Sequence, residues 1–115
     1  MMGMTMEQTT ERTTEQKSVR EILLEEARLC VCGCRAEDYG KPEHNFDRIA
    51  KLWTAYAGYH FRAEDVAAMM ILLKTARIAS GSDKMDNWVD AAGYAACGGE
   101  LLSDRRQREL TEGTV

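Results

Sequence analysis

Residues 63–80 read AEDVAAMMILLKTARIAS, and this stretch decides the fold. Glu64 and Asp65 stand where the positive end of a helix favours acids. From Val66 to Leu73 the residues are apolar on every side. A helix without a polar face is expected in the centre of its domain, covered by other helices. Lys74 and Arg77 are the only charges in its second half, and Gly81 is placed to close it.

Working outward, three further helices have the right pattern. Upstream, Phe46, Ile49, Ala50, Trp53, Tyr56 and Ala57 recur at helical spacing, with Pro42 at the first turn and Gly58 at the end. Before that, Ser18 and Glu21 form an S-x-x-E capping box. Val19, Ile22, Leu23, Ala27 and Val31 follow as an apolar stripe, ended by Gly33. Downstream, a helix begins near Lys84 and passes Leu102. Its AAGYAACGG run is small enough to let a neighbouring backbone approach closely. No alternating strand pattern and no internal repeat appears. The expectation is an all-α protein, a four-helix bundle. Residues 1–17 read as a disordered N-terminal arm, 18–103 as a single helical domain and 104–115 as a polar C-terminal tail that frays. Met69, Met70, Trp53 and Trp88 read as core, Trp88 having a second reading as a base-stacking ring.

The totals restrict function. The chain of 115 residues carries a net charge of −4, with a pI near 5.2. Bulk electrostatic binding of a nucleic-acid backbone wants a basic face and is not expected. No apolar run reaches the roughly 18 residues of a membrane span, and the N-terminus lacks the apolar segment of a signal peptide. No membrane association and a cytoplasmic location are the expectation. Cys30, Cys32 and Cys34 crowd together while Cys97 stands alone, which suits free thiols better than a disulfide framework.

Three groups of residues have chemistry to offer. Asp86 and Asp90 lie four apart on one helical face, a spacing at which like charges repel unless a cation sits between them. Mg²⁺ takes such oxygens, often with phosphate completing its shell. The structural alternative pairs them with Lys74 and Arg77, which otherwise face a phosphate themselves. The loop holding Arg35, Asp38 and Tyr39, with Asn45 just beyond it, either clamps a nucleoside or is plain turn chemistry. The Cys30-x-Cys32-x-Cys34 spacing lacks the second ligand pair of a structural zinc site.

The string Arg35-x-x-Asp38-Tyr39-Gly40-x-Pro42-x-x-Asn45-Phe46, followed by Asp86-Asn87-Trp88-Val89-Asp90-x-Ala92-Gly93-Tyr94, resembles a family of uncharacterised domains common in phages and prophages. More distantly, the Asp86-x-x-x-Asp90-x-x-x-Tyr94 helix after a Lys/Arg-bearing helix is similar to the MazG-like nucleotide pyrophosphohydrolases. That resemblance implies a MazG-like bundle and a phage-type nucleotide-handling protein. Asp86 and Asp90 would hold Mg²⁺, and Lys74 and Arg77 would neutralise phosphate. Arg35, Asp38, Tyr39, Asn45 and Tyr94 would frame the nucleotide. The Glu-x-x-Glu pair that those enzymes carry on an earlier helix is not evident here, where Glu25 and Glu26 are adjacent. The alternatives are a non-catalytic phage protein that sequesters a nucleotide signal or inhibits a host defence protein, and a helical interaction module without a small ligand. The apolar third helix in so short a chain also points to a homodimer.

One expectation is testable directly. Changing Cys30, Cys32 and Cys34 together to Ser should leave the far-UV circular dichroism intact, and metal analysis of the purified parent should find no zinc.

Overall fold

The computed structural model describes residues 16–32 and 41–113. They form four helices in chain order, α1 (Val19–Cys32), α2 (Pro42–Ala57), α3 (Ala63–Ala79) and α4 (Met85–Gly113), with no strand among the described residues. Their boundaries follow local chemistry. Ser18 Oγ accepts the Glu21 N–H at 3.2 Å, half of the expected capping box. Pro42 is the first residue of α2, where its missing N–H costs nothing. Gly58 ends α2 in the left-handed conformation, at φ 70°, and its N–H donates to the Thr54 carbonyl at 2.9 Å. The Asp65 carboxylate accepts the Arg62 N–H at 2.8 Å and so caps α3. The turn between α2 and α3 is fixed by Phe61, whose N–H donates to Thr54 Oγ1 at 2.8 Å.

The longest element, α4, has 29 residues and is the spine. It packs along α3, and α1 packs mainly on it, while α2 lies chiefly against α3. The α3–α4 seam is built from small residues. A Cβ placed on Gly98 would touch the Ala67 Cβ at 3.4 Å, and Ala67 is buried. The α1–α4 seam is similar, with Gly93 facing Val31 at the same distance. Phe46, Ala50, Val66, Ala67, Cys97 and Leu101 make the core cluster, with Ile49, Trp53, Phe61 and Tyr94 packed around it.

Several expectations about burial are corrected. Helix α3 is not covered all round. Only Val66, Ala67 and Lys74 are buried on it, and Met69, Leu72 and Leu73 face outward. Trp88 is 52% exposed and Tyr56 95% exposed, so neither is a core residue. The reason is numerical: three helices cannot surround a fourth when α1 sits mainly on α4. The last helix also extends beyond the expected boundary at residue 103. The Arg105 guanidinium holds it, with Nε 2.8 Å from Glu64 Oε1 on α3 and Nη1 2.7 Å from Glu109 one turn on. Those hydrogen bonds raise the guanidinium's pKa further and keep it charged.

Because Arg105 ties α4 to α3, Arg105→Ala should lower the thermal midpoint. Deleting residues 106–115, which leaves the Glu64 pair in place, should change it little. Paired thermal melts check both.

Candidate functional site

Of the expected site residues, Arg35, Asp38 and Tyr39 lie outside the described residues. Of the others, Asn45 lies on α2, Lys74 and Arg77 on α3, and Asp86, Asp90 and Tyr94 on α4. Val31 meets Gly93, and Tyr94, half-buried on α4, packs its ring 6.0 Å from Phe46 at the start of α2. Asn45 is the neighbour of Phe46, half-buried in the first turns of α2. One turn back from Tyr94 along α4 stands Asp90. The middle of α4 therefore carries Asp90 toward α3 and Tyr94 toward the Asn45 end of α2.

Lys74 is the one buried charged residue among the described residues. Its Nζ lies 2.9 Å from Asp90 Oδ2, so an expected phosphate cation and an expected metal ligand are tied to each other. The pairing follows from topology. Lys74 sits on the face of α3 that packs on α4, and burial of an ammonium demands an acid opposite. Arg77, three residues on, is exposed and makes no ion pair among the described residues.

Asp86 is exposed, one turn before Asp90. Both line a groove of about 410 Å³ between α1 and α4, together with Glu26, Leu29, Cys30 and Val89. Sequence spacing within α4 does not reveal Glu26, which reaches this groove from the other helix. Among the described residues, no three His, Cys, Asp or Glu side chains come close enough to hold a metal ion. Asp90 is already answered by an ammonium. Asn87, also unmarked by spacing, is buried and structural. Its Nδ2 donates to Ser82 Oγ at 2.9 Å across the turn that starts α4.

A second groove, of about 320 Å³, gathers Lys51, His60, Arg62, Arg105 and Arg108 where α2, α3 and α4 meet. Three of its cations are already matched: Lys51 by Asp47, Arg62 by Asp65 and Arg105 by Glu64. Arg108 makes no ion pair among the described residues. Burial, reinforced by Glu43, pushes Cys97 up to about 11, so it stays protonated and unreactive at neutral pH, while Cys32 is exposed.

The Lys74 pair makes a quantitative expectation. Breaking a fully buried pair costs about 3–5 kcal/mol. Asp90 keeps about a third of its side chain in water, so screening reduces the cost of Asp90→Asn to about 2 kcal/mol. Adding Lys74→Met removes the stranded cation and should recover most of the loss. Denaturant melts of the parent, both single variants and the double variant measure it.

A family model described as Domain of unknown function (DUF6378) matches residues 22–102. The chain is 50% identical over 74 residues to the Gene 55 protein of Mycobacterium phage L5, covering 64% of this chain and 47% of that protein. It is 42% identical over 77 residues to the Gene 55 protein of Mycobacterium phage D29, covering 67% of this chain and 51% of that protein. The chain spans about half the length of the curated relatives it matches. No solved structure matches it. The family match takes in most of all four helices and the stretch of sequence that bears the Arg35–Asn45 motif, so the chain belongs to the DUF6378 family, a domain it shares with these mycobacteriophage proteins.

Proposed function

We propose that this is a non-catalytic phage-type binding protein that engages another protein through the groove between α1 and α4. The observation that carries this reading is the Lys74–Asp90 ion pair, 2.9 Å long. A Mg²⁺-dependent pyrophosphohydrolase of the MazG-like kind needs Asp90 for metal and Lys74 for phosphate. Here each is used to satisfy the other. What remains open to a partner is acidic and apolar: Glu26, Asp86 and the exposed part of Asp90 beside Leu29 and Val89. Such a surface suits a segment of protein that carries lysine or arginine among apolar residues, and repels free phosphate. A host defence protein held in an inactive complex is one partner of that description.

A second reading keeps a nucleotide. It is favoured by one arrangement, the approach of Asn45, Tyr94 and Asp90 to the end of α2 that follows Arg35, Asp38 and Tyr39. In that reading the protein retains a nucleotide signal without hydrolysing it, and Arg35 supplies the cation that Lys74 does not.

The test uses the full chain with a panel of nucleoside triphosphates and cyclic nucleotides, each with Mg²⁺, and scores product and retained ligand separately. The expected result is neither pyrophosphate release nor a rise in melting midpoint. In a parallel arm, a labelled amphipathic Lys/Leu peptide should bind, weaken with salt, and weaken further in Glu26→Gln/Asp86→Asn. Catalytic release of pyrophosphate would overturn the proposal. Stoichiometric retention without product would move the assignment to the second reading.

A further inference from the structure

Helix α1 carries two apolar faces, and α4 covers one of them. Ala27, its buried residue, and Val31, which meets Gly93, form the covered face. The other is a stripe of Val19, Ile22, Glu26 and Leu29, at steps of three, four and three residues. Ala27 follows Glu26 by one residue and so points about 100° away from it. The apolar members of the stripe stand open: Val19 is 64% exposed, Leu29 49% and Ile22 45%. Glu26 is exposed among them and makes no ion pair with any described residue. Glu26 and Leu29 also line the acidic groove, with Asp86 and Asp90 across it on α4, and no lysine or arginine lines that groove. Arg28 is paired with Glu25, and Lys74 reaches Asp90 from α3.

We infer that the partner segment is an amphipathic helix, laid along α1 with its apolar stripe on Val19, Ile22 and Leu29 and a lysine or arginine over Glu26, beside Asp86. The inference rests on the protein-binding groove proposed above, and adds the conformation and register of what fills it. Three features select this occupant. Alternating steps of three and four residues are the seam spacing of two helices packed side by side. Next, the described surface is all helical, and it offers no strand edge. An extended segment would leave its N–H and C=O groups unmatched where it covers the apolar stripe, whereas a helix satisfies its own. Finally, charge turns away a second copy and selects a basic partner. Two copies joined along this stripe would bring Glu26 toward its counterpart or cover it with apolar residues, and a covered, unpaired carboxylate is costly. A cation in the facing position answers Glu26, and Asp86 adds attraction from the side.

The experiment measures fluorescence anisotropy of three labelled peptides against the full chain, with far-UV circular dichroism of each mixture. The first peptide has apolar residues at the three-four spacing and a lysine at one central seam position. The second has the same composition with apolar and polar residues alternating, which favours an extended chain. The third is the first with glutamate in place of the seam lysine. The first should bind and gain helical signal on binding, and the other two should bind far more weakly. Val19→Ser/Ile22→Ser should weaken the first about tenfold, the effect of roughly one covered aliphatic side chain. Leu24→Ser, exposed on another side of α1, should leave it unchanged. Glu26→Lys should favour the third peptide over the first. Equal binding of the first two peptides, or binding without gain of helix, would overturn the inference and leave the groove reading standing. So would a Val19→Ser/Ile22→Ser chain that binds like the parent, a Leu24→Ser chain that weakens as much, or a Glu26→Lys chain that keeps the parent's order of preference. If no peptide binds the parent, the groove reading falls and this inference with it.

Discussion

The close approach of α3 to α4 is the constraint on which the other placements depend. It exists because Ala67 and Gly98 meet where larger side chains would hold the helices apart. Once those backbones are near, Lys74 lies beneath α4 rather than in water, and its charge must be answered from α4. Asp90 does so. The ion pair is therefore a result of helix packing. Farther along the same seam, Glu64 and Arg105 join the two helices again where α3 begins. The seam is apolar and small in the middle and ionic toward both ends, an arrangement that fixes the helices' register as well as their separation.

Much of the fold was legible in the residues. The four helices, the Pro42 start, the Gly58 stop and the Ser18 cap are local features, decided by groups within a few positions of each other. The small-residue stretch of α4 correctly announced a close neighbour. Burial was less legible. A residue such as Tyr56 or Met69 has the same periodicity whether its face meets another helix of the chain or nothing within it. Periodicity shows that an apolar face exists, and topology decides what covers it. The length of α4 was hidden for the opposite reason. Residues beyond Ser103 are mostly polar, and the tertiary partner Glu64, 41 positions from Arg105, holds the helix there.

The candidate site divides along the same line. The proximity of Lys74 to Asp90 followed from the order of two helices and was open to reasoning, as one of two alternatives. Glu26 entered the groove from α1 through a contact that no spacing rule describes. Family membership extends the motifs across most of the chain without assigning them chemistry. The weight of interpretation therefore falls on charge and geometry.

Helix α1 has a consequence for motion. It buries one residue, Ala27, and rests mainly on α4, whereas α3 is gripped along its length. Regions with few buried apolar contacts open first and at the lowest free energy. Release of α1 would unmask the Gly93 side of α4 and widen the acidic groove without disturbing the α3–α4 seam. The protein is thus built with a firm half, α2 to α4, and a lightly latched helix. A partner able to wedge under that helix would meet a surface that the closed form keeps covered.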